Sequence, residues 1–306
     1  NSLKTNAAQH DYLPVAGMEE CRLAVATAMT SIRPNISSND IVIAPGSKMI
    51  IYAVMACYKK ATVLLPQPSW VSYAPQAALL NHETALIPTD FESKWKISGE
   101  SLERACDQLT NGLPKILVLN YPNNPTGMTY TRNELREIAD VAQKYNILII
   151  SDEIYGWLNH NNDHSSIAEF YPDGTFVTTG LSKWCGAGGW RFGAGIFPEG
   201  ASSDFIKTYN GIASETYSTT AAPVQFAATD IYNNIDQLSS FILAQQTILK
   251  ALAKNITSIL SASNINVHLP DGGFYIFPDF SNYNDILNQK GITTAEQLCV
   301  ELLNKN

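Results

Sequence analysis

The sequence predicts an α/β protein of three layers around a mostly parallel sheet, and two observations predict it. From residue 17 to about 250, short apolar runs of strand length alternate with stretches of helical period. The chain, at 306 residues with 45% hydrophobic and 16% charged, is also long enough to fill one large core and part of a second without low-complexity segments. In order, "GMEECRLAVATAMTSI" has helical spacing, "DIVIAPGSK" is a strand running into a glycine turn, and "MIIYAVMACY" is a helix. "ATVLLPQPSW" is a strand ending in a proline-rich turn, followed by the helix "VSYAPQAALLNH". Then come the strand "KILVLNYPNNPTG", the helix "TRNELREIADVAQKY" and the strands "ILIISDEIY", "TFVTTGLSK" and "FGAGIF". A long helical stretch from about Pro223 to Leu260 leads to a strand-like "GGFYIF" at 272–277 and a last helix, "TAEQLCVELLNKN". The expected division is a large domain over 1–240, with the N-terminal segment, and a linking helix with a partial small α/β domain over 241–306.

Composition excludes some classes. Twenty lysines and arginines against 28 acids give a net charge of −8, which argues against non-specific nucleic-acid binding. The five cysteines are scattered, without a C-x-x-C pair to suggest zinc or a redox dithiol, so no metal site is expected and a reducing cytoplasm suits them. The most apolar stretch, around residues 49–65, is broken by Lys59 and Lys60, so no membrane span is expected.

The stretch "TTGLSKWCGAGGWRFGAG", residues 178–195, sets six glycines around Lys183 and Arg191. A solvated lysine on a glycine-rich loop is the ordinary reading of such a segment. Its position between two buried strands speaks for another, because α/β folds keep their chemistry where a strand gives way to a loop. "KILVLN" ends at Asn120, "ILIISDE" at Asp152 and Glu153, and "FVTTG" leads to Ser182 and Lys183. In a parallel sheet these ends meet on one edge, so an asparagine, an acid and a lysine converge on one crevice.

An amine, an acid and an amide in one cleft suit an aldehyde cofactor held as an imine, with a pyridinium nitrogen in need of a carboxylate. Pyridoxal 5'-phosphate is such a cofactor. "YPNNPTG", "SDEIY" and "GLSKWCGAGGWRFG", in that order and with those gaps, resemble the fold-type I, class I/II aminotransferases, and the resemblance runs from "DYLPVAG" at 11 to "GGFYIFPDF" at 280. It implies the type I pyridoxal-phosphate transferase fold and an enzyme that moves an amino group from an amino acid to a 2-oxo acid. It further implies that Lys183 is the Schiff-base lysine and proton carrier, Asp152 the partner of the ring nitrogen, and Tyr155 and Asn124 the donors to the cofactor's 3′-oxygen. Trp70 would stack on the ring. Gly46, Ser47 and Lys48 of "PGSK", with Ser182 and Arg191, would hold the phosphate, the first three at a helix N-terminus. Tyr12 would reach the phosphate of a second subunit, which makes a homodimer the expected assembly.

One departure accompanies the resemblance. The family's arginine for the substrate α-carboxylate lies beyond "GGFYIF", and this chain has no arginine after Arg191. The expectation is therefore a chain truncated at both ends, with residues 263–306 loosely packed and substrate weakly held. Within the same fold, a C–S β-lyase or an aminocyclopropane-carboxylate synthase would use the same lysine, acid and tyrosine. A non-catalytic cofactor-binding regulatory module and an inactive fragment are the readings from another class.

Overall fold

The computed structural model describes residues 11–110 and 112–305. Seven strands, β1 (Ile41–Ala44), β2 (Thr62–Gln67), β3 (Glu83–Pro88), β4 (Lys115–Asn120), β5 (Ile147–Asp152), β6 (Thr175–Gly180) and β7 (Gly193–Ile196), form one sheet in the order β1-β7-β6-β5-β4-β2-β3. Strands β2 to β6 pair in parallel, whereas β7 runs against both β6 and β1. The sheet is thus mixed by one reversed strand.

Among the described residues ten α-helices accompany it: α1 (Glu19–Ala28), α2 (Ser47–Ala56), α3 (Tyr73–Leu79), α4 (Gly99–Asp107), α5 (Arg132–Lys144), α6 (Ser203–Thr216), α7 (Ala222–Asn233), α8 (Ser239–Ala262), α9 (Asn284–Gln289) and α10 (Ala295–Lys305). Alternate residues of each central strand enter different cores. Ile116, Val118 and Ile150 pack with α2, α3 and α6, while Leu117, Leu119, Ile147 and Ile149 pack with α4 and α5. Side chains of adjacent strand residues point to opposite faces, so continuous apolar runs require cover on both sides. Each such buried aliphatic contributes about 1.5–3 kcal/mol. Local sequence sets the helix entries: Thr131 accepts from the Glu134 amide while Glu134 Oε2 accepts from the Thr131 amide at 2.7 Å, closing a capping box at the start of α5.

Three expectations fail for local reasons. β3 and α4 lie in a stretch where the sequence pattern shows no element: β3 keeps only Ile87 buried, and α4 shows just Leu102 and Cys106 as buried apolar residues. The helix expected from Pro223 to Leu260 is broken between α7 and α8. There Asn234 Nδ2 donates to Asp230 O at 2.7 Å and Asn234 Oδ1 accepts from Gln237 at 3.0 Å, local side-chain bonds that compete with a continuous ladder. "GGFYIF" is no strand. Its backbone instead joins the loops that flank the sheet: Gly272 N donates to Gly127 O at 3.0 Å and Gly273 N to Leu158 O at 3.0 Å. Residues 270–275 are therefore pinned, while α9 and α10 carry no buried residue. No described helix is long and apolar enough to cross a membrane.

Candidate active site

Strand register brings the first groups together. Asn120 at the end of β4 lies opposite Asp152 at the end of β5, which lies opposite Thr178 of β6. Two residues beyond β6 follow Ser182 and Lys183. At this edge a cleft of about 360 Å³ is lined by Ser47, Lys48, Trp70, Tyr73, Asn120, Asn124, Asp152, Ile154, Tyr155, Ser182, Lys183, Gly188 and Arg191. Its size is within the range of cofactor sites.

Asp152 is the buried centre. Its Oδ2 accepts from the Tyr73 hydroxyl at 2.7 Å and its Oδ1 from the Ile154 amide at 3.4 Å, and it makes no ion pair among the described residues. Burial raises its carboxyl to about 6, against the lowering influence of the Tyr73 bond, the Ile154 amide and the Lys183 charge. Asn120 ties this strand to the next: its Nδ2 donates to Asp152 O at 2.8 Å, and its Oδ1 accepts from the Asn124 amide at 2.8 Å. One side chain therefore fixes Asn124 relative to Asp152.

The Asn124 Nδ2 donates to the Tyr275 hydroxyl at 3.1 Å, which lies 3.1 Å from the Tyr155 hydroxyl. Burial raises the Tyr155 phenol above its ordinary value, against the lowering influence of a bond from the Asn124 amide. Lys183 Nζ sits 5.4 Å from the centre of the Tyr155 ring and 5.8 Å from that of Phe274, with no carboxylate within ion-pair range among the described residues.

At the other end, α2 has Gly46 as its N-cap and no side-chain cap, so its first amides, those of Ser47 and Lys48, have no intrahelical acceptor. Arg191 adopts a left-handed backbone (φ 56°) and donates to Gly188 O at 2.9 Å. A Cβ on Gly46, itself at φ 94°, would stand 2.4 Å from Arg191 Nη2, and one on Gly193 would stand 2.5 Å from the Ser47 amide nitrogen. Only glycines let the guanidinium and the helix terminus approach this closely. Lys48 Nζ lies 4.9 Å from the Trp70 ring centre, and Trp70 meets Tyr73 edge-on at 5.3 Å.

Of the residues singled out in the sequence, Lys183, Asp152, Tyr155, Asn124, Trp70, Ser47, Lys48, Ser182 and Arg191 line this one cleft, and Gly46 lies beneath Arg191. Tyr12 does not; it is 92% exposed. Sequence reasoning missed Tyr73 and Tyr275. Tyr73 sits three residues after Trp70 at the start of a helix, a weak signal, and Tyr275 reads as a strand residue. The donor set suits pyridoxal phosphate: a buried carboxylate and a guanidinium at a helix N-terminus, neither in an ion pair among the described residues, and an amine lining the same cleft.

The sequence from residue 3 to 306 matches the model of the family described as aminotransferase class I and II. The chain belongs to this aminotransferase family. Its members use pyridoxal phosphate to move amino groups between amino acids and 2-oxo acids. The chain is 32% identical to an aspartate aminotransferase of Bacillus sp. strain YM-2 over 87% of its own length and 66% of the relative's. To an asparagine–oxo-acid transaminase of Streptococcus mutans it is also 32% identical, over 95% of this chain and 73% of that one. Among solved structures, an aromatic aminotransferase from Pyrococcus horikoshii superposes with a TM-score of 0.81 at 26% identity, covering 90% of this chain and 73% of that one. A mutant Thermus thermophilus aspartate aminotransferase, at 23% identity, shares the fold with a TM-score of 0.83 over 90% and 74%. The lyase and regulatory-module readings find no support among these aminotransferase relatives.

Proposed function

We propose that the cleft at the ends of β4, β5 and β6 is the aminotransferase centre, with Lys183 as the covalent attachment point and proton carrier. Bound there, pyridoxal phosphate supplies an aldehyde that condenses with amines and a ring that withdraws electrons from the substrate Cα. Asp152 holds the proton on the ring nitrogen, and the cation relieves the carboxylate of its buried, unpaired state. Tyr155 and Asn124 donate to the 3′-oxygen. Arg191, Ser182 and the amides of Ser47 and Lys48 bind the phosphate, and Trp70 covers the ring. The released Lys183 amine moves a proton at the substrate Cα.

The observation that carries this reading is the convergence of a cation-free buried acid, a lysine and an anion cradle on one cleft. Borohydride reduction and peptide mapping of the protein with pyridoxal phosphate should label Lys183. Lys183→Ala should abolish the label and lower turnover by roughly three orders of magnitude or more. A label on Lys48 instead would sink the assignment. Aspartate and asparagine, the substrates in the relatives' names, are the first donors to assay, with 2-oxo acids as acceptors.

The homodimer belongs to the same proposal. Tyr12 is exposed and outside its own chain's cleft, which suits a contact with a second copy. A monomer in sedimentation equilibrium at micromolar concentration would remove this part. Five free cysteines, two of them buried, suit the cytoplasm. A boundary near residue 240, at the start of α8, divides the cofactor-binding body from the small domain.

A further inference from the structure

We propose that Tyr275 is a positioning residue that aims the Tyr155 proton into the cleft. The inference rests on the reading of Lys183 and Tyr155 just given, and it is carried by the hydrogen-bond directions around three groups. Asn124 Nδ2 can only donate, so the Tyr275 oxygen accepts there at 3.1 Å. The Tyr275 proton is then available for the other neighbour, the Tyr155 oxygen, also 3.1 Å away. With its oxygen already receiving a proton, Tyr155 turns its own outward. Asn124 also bonds the Tyr155 oxygen, which adds a second donor to that oxygen. The Tyr155 proton is thus left for an acceptor on the cleft side, while Tyr275 and Asn124 close the ring of bonds behind it.

The arrangement is built rather than incidental. The Tyr275 ring meets the Tyr155 ring edge-on at 5.7 Å, and Phe274 meets it at 5.5 Å. The segment carrying both is clamped by buried His160, whose ring nitrogens lie 3.2 Å from Pro270 O and 3.0 Å from Gly273 O, and by the bonds of Asp271 and Gly272 to Gly127 O. The Gly127 turn also carries Asn124, so donor and acceptor share one support. The other charged or titratable groups facing Tyr155 are Asp152, Lys183 and Tyr73. A Tyr155 proton held toward the 3′-oxygen favours the deprotonated form of the lysine-bound cofactor, so losing the relay should raise the pH at which its absorbance band titrates.

The test is a pH titration of that band in the protein loaded with pyridoxal phosphate, alongside borohydride labelling of each variant. Tyr275→Phe removes only the hydroxyl and should keep the Lys183 label while raising the titration midpoint by about half to one pH unit, the size of one hydrogen bond. Tyr155→Phe should raise it further, and the Tyr155→Phe/Tyr275→Phe double variant should match Tyr155→Phe alone, because one acts through the other. A wild-type midpoint in Tyr275→Phe overturns the inference. So does an additive double variant, or a shift seen only in Tyr275→Leu, which would make the role one of packing. Each of these leaves the Lys183 assignment standing. A wild-type protein without a Lys183 label removes both readings together.

Discussion

Asp152 is a carboxylate kept where charge is costly, and its protonation links the site to stability. Its folded value, about 6, lies above the unfolded value near 3.8, so the native state binds the proton more tightly. Stability from this group is present in full below about pH 4 and is lost as pH rises through about 6. A shift of about two units corresponds to about 3 kcal/mol. In the cofactor-free protein, Asp152→Asn should therefore be more stable than wild type by about 2 kcal/mol at pH 8, after allowing about 1 kcal/mol for a poorer bond with Tyr73 or Ile154. Urea unfolding at pH 8 and pH 4 checks this: the advantage should vanish at the lower pH, and an equal advantage at both would refute the account. At this scale the sequence shows Asn120, Asp152 and Lys183, because each stands at or just past the end of an apolar strand, whereas Asn124 comes only with the resemblance carried by "YPNNPTG". Tyr73 and Tyr275 stay hidden because they reach the cleft from a helix and from a loop distant in sequence. Only the tertiary fold brings Tyr275 within 3.1 Å of a side chain 151 positions away.

Among the elements, the junction of β1 and α2 with the turn before β7 does the finest positioning. Gly46 has no Cβ where the Arg191 guanidinium lies, and Gly193 has none where α2 begins. Gly46→Ala should push Arg191 off the helix terminus and strain a φ of 94°. The expected result is at least a tenfold weaker affinity for pyridoxal phosphate with Lys183 still labelled at saturation, measured by fluorescence titration. An unchanged affinity would show that the arginine holds no phosphate. The glycines are conspicuous in the sequence, and so is the strand-to-helix step at "PGSK". Their mutual contact is not, since β1 and β7 meet only through antiparallel pairing of residues about 150 positions apart. β3 and α4 escape notice for a simpler reason: an edge strand with one buried residue and a short helix with two buried apolar side chains display too little period.

Across the whole molecule, order is distributed unevenly. The central strands are buried on both faces, whereas α9 and α10 bury nothing. Hydrogen exchange should follow this division, with the β4, β5 and β6 amides slowest, those of residues 271–273 close behind because their acceptors belong to the sheet's loops, and α10 exchanging within the fastest class. Protection in α10 equal to that of β5 would contradict it. The expectation of loose packing over residues 263–306 thus divides at the segment held by His160. That clamp has a thermal consequence. As the chain warms, opening of residues 270–275 releases Phe274 and Tyr275 from the Tyr155 ring while the sheet and Lys183 keep their places. A calorimeter would record the loss of the sheet, whereas the colour of the bound cofactor would change several degrees earlier, so a single melting temperature describes the scaffold and overstates the range in which its chemistry survives.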